Sequence, residues 1–320
     1  MQFGVFVPQG WRMDLVGVPV DEQWPAILDV ASRTEALGYD SLWVYDHFHT
    51  VPEPTQESTF EAWTLMASLA VATERVRLGQ MCTCNSYRPP SYLAKVASTI
   101  DVISGGRLEF AIGAGWYEEE YLAYGYPFPK GSTRIRQLDE AVRIVKAMWS
   151  QDEATFQGKH YRIDGAINHP RPIQQPHPPI WIAGGGEEMT LRVVAEHADF
   201  SNYAGNLETF RRKGEILDRH CAEIGRDPAE IGRTMHTILV VASDEASLQA
   251  KLERAAAQGG RPVDAYLRSP IVLAGTAAQV TERLAEFQEE GCVYVIAYLP
   301  DTLWGDGLEV FAEEVVPHLR

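Results

Sequence analysis

Short runs that are apolar at nearly every position alternate along the chain with longer stretches in which apolar residues recur every third or fourth position. The first pattern marks strands buried on both faces, the second helices that cover a sheet. Strands are predicted at 3–7, 41–45, 77–81, 108–112, 179–183, 198–202, 234–241 and 293–298. Helices are predicted near 23–37, 60–73, 90–103, 135–149, 187–196, 207–224, 244–257 and 276–290, with a last one at 306–316. At two junctions, Gly38 and Gly291, a helical pattern ends on glycine and an apolar strand follows, as a left-handed helix cap requires. Ser58-x-x-Glu61 and Thr276-x-x-Gln279 have capping-box spacing, and Asp227-Pro228-x-Glu230 opens a shorter helix. In the helix at 135–149, Leu138, Ala141, Val142, Val145, Met148 and Trp149 form one apolar stripe.

Eight doubly buried strands with helices between them suit a closed (β/α)8 TIM barrel of the α/β class; an open doubly wound sheet is the alternative. The whole chain, 1–320, reads as one domain. The rhythm breaks at about 150–178, between strands 4 and 5, where Phe156 to Tyr161 resembles a hairpin and Arg171 to Pro179 a proline-stiffened return. A second excursion is expected at about 259–274.

Composition narrows the function. With 45% hydrophobic and 22% charged residues the chain has the makeup of a folded globular protein, and no apolar run approaches the roughly 18 residues that a membrane span needs. Phe3 to Val7 enters an apolar alternation without a basic leader, and four scattered cysteines form no disulfide framework. The cytoplasm is therefore the expected compartment. A net charge of −16 argues against nucleic acid, whose phosphates require clustered Lys and Arg.

In a barrel of this kind chemistry sits where strands end. Asp46-His47-Phe48-His49 follows the second strand and brings three titratable groups together. His47 and His49 alternate to one side like a metal-binding His-x-His, but no companion ligands follow later strands, so no metal is expected. The third strand runs into Met81-Cys82-Thr83-Cys84. The fourth runs into Gly113-Ala114-Gly115-Trp116-Tyr117, whose small residues admit a flat ring and whose glycines also suit a tight turn. Tyr121, Tyr124, Tyr126 and Phe128 make the following loop unusually aromatic. After the fifth strand, Ala183-Gly184-Gly185-Gly186 opens a helix and offers backbone amides to a phosphate, with Glu187 and Glu188 partly opposing an anion. Lys130, Arg134 and Arg136 are candidate cations.

These residues resemble the bacterial-luciferase-like superfamily, and within it the oxidoreductases that use the deazaflavin coenzyme F420. The resemblance rests on Phe3 to Phe6, Gly38 to Phe48, Asp101 to Leu108, Gly113 to Tyr121 and Pro179 to Gly186. It implies a barrel with the deazaflavin at the strand C-termini, its ring over a bulge after the third strand, where a cis peptide would fall at Met81-Cys82. It implies an Asp46–His47 pair, His47 lying near the reactive ring carbon, and a phosphate loop at Gly184 to Gly186. The family's sugar-phosphate dehydrogenases carry a glutamate where this chain has Trp116 and a threonine where it has Ala114. A sugar phosphate is therefore not the expected substrate, and His47 is left as the main titratable group.

The expected function is hydride transfer between F420 and a small organic substrate. Asp46 and His47 would be catalytic, and Asp46, Met81, Cys82, Thr83, Gly113, Ala114, Gly115, Trp116, Tyr117 and Ala183 to Gly186 would bind the coenzyme. An FMN-dependent two-component monooxygenase is the alternative. A metal-dependent hydrolase and a non-catalytic flavin-binding protein are minor ones. A homodimer is the expected assembly.

Overall fold

The computed structural model describes all 320 residues. In chain order the first half contains β1 (Gln2–Phe6), α1 (Val20–Ala36), β2 (Ser41–Val44), α2 (Ala62–Ala72), β3 (Arg77–Gln80), β4 (Thr83–Cys84), α3 (Pro90–Ile103), β5 (Leu108–Gly113), α4 (Glu118–Ala123) and α5 (Gly131–Ser150). The hairpin β6 (Ala154–Gln157) and β7 (Arg162–Ala166) follows, then β8 (Ile180–Ala183), α6 (Thr190–His197), β9 (Phe200–Asn202) and α7 (Leu207–Ile224). The chain ends through β10 (Gly232–Ala242), α8 (Glu245–Gln258), α9 (Val263–Leu267), β11 (Val272–Thr276), α10 (Ala277–Glu289), β12 (Cys292–Tyr298) and α11 (Gly307–Val310).

Strands β1, β2, β3, β5, β8, β9, β10 and β12 pair in that order, all parallel, and β12 returns to β1, so the sheet closes into an eight-stranded barrel. All eight are the predicted strands. The excursion at 259–274 holds more order than the sequence pattern indicates: α9 and then β11, which pairs with residues 238–242 of β10 at the strand's C-terminal end. The same strand pairs with β9 only through residues 232–234, at its N-terminal end.

Local chemistry explains the boundaries. Gly38 and Gly291 take φ of 80° and 86°, the left-handed values that reverse the chain into β2 and β12. Thr276 and Gln279 form the reciprocal cap of α10. Ser58 does not cap α2, contrary to its spacing. Glu61 does so itself, accepting the Thr64 amide at 2.7 Å while also pairing with Arg88, so the helix begins at Ala62. The helix after the glycine triplet starts at Thr190, not at 187, because Glu187 to Met189 form a turn first.

One apolar core lies between the barrel and its helices and another fills the barrel itself. Inside, Trp43 meets Trp181 edge-on at 5.0 Å, and Trp181 meets Tyr294 at 5.1 Å. Gly79 makes room for this plug, since a Cβ there would lie 2.6 Å from Trp43 Cε3. The plug's polar ends are satisfied: Trp181 Nε1 donates to Glu109 at 2.6 Å and the Tyr294 hydroxyl donates to Ser41 at 2.6 Å. Above the plug, at the strands' C-terminal ends, the barrel opens into a cavity.

Candidate active site

The end of β2 is fixed before it is chemical. Asp46 is almost fully buried and receives two hydrogen bonds from Arg88, at 2.7 and 2.9 Å, and one from the Cys84 amide at 2.8 Å. A bidentate arginine neutralises the carboxylate, and the amide contact ties β2 to the bulge between β3 and β4. The Met81–Cys82 peptide in that bulge is cis, as the resemblance implies. Burial pushes the Cys82 thiol well above its ordinary value.

His47 stands on the cavity side of this frame. Its ring stacks on Trp11, 4.2 Å away and nearly parallel to it, and its Nδ1 lies 2.8 Å from a Glu120 carboxylate oxygen. Glu120 is fully buried. Burial alone would raise its carboxyl, but hydrogen bonds from His47, the Phe48 amide (2.6 Å) and the Tyr87 hydroxyl (2.6 Å) outweigh that and hold it below the usual range. An ionised Glu120 only accepts, so His47 donates Nδ1–H to it, and in the neutral ring Nε2 is the lone-pair nitrogen.

Asp46, His47, Met81, Cys82, Gly113, Ala114, Gly115, Trp116, Ala183, Gly184, Gly185 and Gly186 line one cavity of about 450 Å3. Two proposed residues do not. Thr83 is buried and turns its hydroxyl to Gln80 at 2.7 Å, and Tyr117 faces an adjoining cavity of about 430 Å3. Of the candidate cations only Arg134 reaches the first cavity, its guanidinium 3.9 Å over the Phe128 ring. A cation the sequence reading missed, Lys213, donates to the Gly185 carbonyl. Glu187 pairs with Arg212 at 2.8 Å, which offsets its charge beside the glycine loop. His49 is turned into the protein, its Nδ1 3.3 Å from the Thr50 carbonyl, and shares no ligand set with His47. The one cluster with metal-ligand spacing, Asp139, Glu196 and His197, lies on α5 and α6 and is already bridged by Arg143.

Two more residues escaped the sequence reading. Glu120, the partner of His47, ends a run of three glutamates that reads as a solvated helix start. His236 lies within β10, not after it, and its ring lines the same cavity. The Thr234 hydroxyl donates to the Ser201 carbonyl (2.7 Å) and so must accept from Asn202 Nδ2 (2.9 Å). That orients Asn202 Oδ1 to accept from His236 Nδ1 (2.6 Å), leaving Nε2 as a bare acceptor. Burial, helped by Arg12, lowers this imidazole to about 4.

A strand-end histidine–carboxylate pair beside a backbone-lined cavity is what the family comparison bears on. The family model described as luciferase-like monooxygenase matches residues 1–266. The chain belongs to this family. An F420-dependent glucose-6-phosphate dehydrogenase of Kineococcus radiotolerans is 27% identical, covering 92% of this chain and 93% of that one. An FMNH2-dependent dimethylsulfone monooxygenase of Pseudomonas putida is 24% identical over 82% and 80% of the two chains. Among solved structures, an F420-dependent secondary alcohol dehydrogenase superposes with a TM-score of 0.81 over 100% of this chain and 99% of its own, at 23% identity, a likeness of fold.

The protein is thus an enzyme of the luciferase-like class. Its cavity fits the coenzymes of that class on chemical grounds: Gly113, Ala114, Gly115 and the Gly184–Gly186 loop present almost no side chain, leaving space for a flat ring. Arg134 and Lys213 stand where an anionic tail needs cations.

Proposed function

We propose that this luciferase-like enzyme moves a hydride between the deazaflavin coenzyme F420 and a small organic substrate, with His47 exchanging the accompanying proton. The observation that carries this reading is the His47–Glu120 pair at the cavity edge. Oxidising an alcohol to a carbonyl removes a hydride from carbon and a proton from the hydroxyl. His47 Nε2 is the acceptor for that proton, and Glu120 steadies the imidazolium that results. The bound coenzyme supplies the ring carbon that takes the hydride.

The chain's own residues do the rest. The Met81–Cys82 bulge, held in place by Asp46 through the Cys84 amide, would support the coenzyme ring. Backbone groups of Gly184 to Gly186, with Lys213 and Arg134, would hold the phosphate end. Trp11 keeps the His47 ring from rotating away from the cavity.

Titrating the purified protein with F420 and with FMN, following each chromophore, tests the reading. Saturable F420 binding is expected, followed by bleaching of the bound coenzyme on mixing with an alcohol panel. Binding of FMN alone supports the two-component monooxygenase instead, and F420 binding without turnover on any panel member supports a carrier. In the same titration Gly185→Val is expected to weaken F420 about tenfold, about 1.4 kcal/mol, since its Cβ would lie 2.8 Å from Lys213 Cε. Unchanged affinity would move the phosphate site elsewhere.

A further inference from the structure

The adjoining cavity of about 430 Å3 has electrostatics that run against the chain as a whole. The protein's net charge is −16, yet this cavity is lined by two guanidiniums, Arg12 and Arg261, and by no carboxylate. Arg12 stands where the two cavities meet, because it lines both.

Its setting is built. The guanidinium carbon lies 4.7 Å from the Trp11 ring, 5.0 Å from Tyr298 and 5.1 Å from Tyr45, within cation–π range of all three. Nε donates to the Tyr45 hydroxyl at 3.1 Å. Gln258 Nε2 donates to the Arg12 carbonyl at 3.1 Å and to the Tyr298 hydroxyl at 3.0 Å, fixing the backbone beneath. The two terminal nitrogens meet no acceptor in the protein. Asp14, two residues on, turns its carboxylate to the Gly10 amide at 2.6 Å and forms no ion pair with Arg12. A planar fork clamped between rings with its outer N–H groups unfilled is oriented for a bidentate anion.

We propose that this cavity is the substrate lobe of the enzyme and that it selects a compact organic anion, an apolar or aromatic body bearing a carboxylate or phosphate that Arg12 grips. This rests on the hydride-transfer reading for what happens next to His47, but the grip itself does not depend on it. The body is apolar because the lobe's walls include Trp116, Tyr117, Tyr266 and Ile271. It is compact because one side chain carries both groups: the His47 ring stacks on Trp11 at 4.2 Å and the Arg12 guanidinium lies 4.7 Å from the same indole.

Calorimetric titration of the protein with F420 present, using phenylacetate, phenyl phosphate and neutral 2-phenylethanol, tests the proposal. At least one anion is expected to bind tenfold or more tightly than the alcohol, and whichever is tighter names the head group. Arg12→Gln is expected to abolish that preference while F420 still binds saturably, the coenzyme losing less affinity than the anion. Equal binding of all three probes to the parent overturns the proposal, as does an Arg12→Gln protein that loses F420 and the anion alike. If Arg12→Gln does not fold, Arg12→Lys reads the same point: it keeps the charge and loses the fork, and the anion preference is expected to fall several-fold. A parent protein that prefers the anion but binds no F420 leaves the lobe standing and removes only the coenzyme reading.

Discussion

Two histidines face the main cavity, His47 from the β2 side and His236 from β10, and the chain has given them opposite partners. His47 donates to a buried carboxylate, His236 to an amide oxygen. Beside Glu120 an imidazolium has its counter-charge in place, so His47 can take up a proton and release it. Beside Asn202 and Arg12 it has none, and His236 is held neutral. On the proposed function one wall exchanges a proton, while the other stays neutral above about pH 4 and accepts a hydrogen bond. The residue type is the same; the partner decides the role.

The largest expected effect breaks the comparison at its active member. His47→Ala should lower turnover by about 10²–10⁴-fold with coenzyme binding nearly intact, and His236→Ala should not do so; stopped-flow turnover beside a coenzyme titration reads both. Equal losses from the two variants would dissolve the division of labour. Next comes the frame behind His47. Asp46→Ala leaves Arg88 without its bidentate partner in a buried setting, and unfolding by urea should show a loss of about 3–5 kcal/mol. A change below 1 kcal/mol would mean that the β2 wall is not held by that pair.

Much of this was legible in the sequence. Strands buried on both faces announce themselves by apolar runs, and Asp46, His47, the Cys82 bulge and both glycine loops lie directly after such runs, where a barrel puts its chemistry. What was not legible fails for physical reasons. Glu120 and the two glutamates before it are alike in sequence; only burial against Phe48 and Tyr87 singles it out. His236 breaks no pattern because it sits inside a strand. β11 is partly buried and contains Gly275, so its run of five residues reads as loop. Arg12 is one arginine in a loop until Tyr45 and Tyr298, from distant strands, close around it.

A partner swap sharpens the contrast. Asn202→Asp gives His236 the kind of neighbour His47 has, and its titration, followed by the ring proton resonances, is expected to rise from about 4 by one to three units. No movement would show that burial and not the partner sets its charge state. The smallest expected effect is on stability. His236 stays neutral in the fold down to about 4, whereas a free imidazole protonates near 6.5, so between those values the unfolded chain binds a proton that the folded one refuses. Stability therefore falls as pH drops through that window. His236→Gln should flatten the slope by about 2 kcal/mol, less than the full difference because the ring edge opens on the cavity. Urea midpoints for parent and variant at pH 7 and pH 4.5 measure it.

The over-long strand β10 has a consequence of its own. Its first residues complete the barrel with β9, its middle joins β12, and only its last five carry β11. None of the pairs that close the barrel involves residues 259–276, yet this segment supplies Gly259, Arg261, Tyr266, Ser269, Ile271 and Val272 to the wall of the smaller cavity. Selectivity is thereby mounted as an exchangeable cassette on the free end of one strand. A transplanted or redesigned segment that keeps the five-residue register with β10 alters what the enzyme admits while leaving barrel closure and the His47 wall untouched.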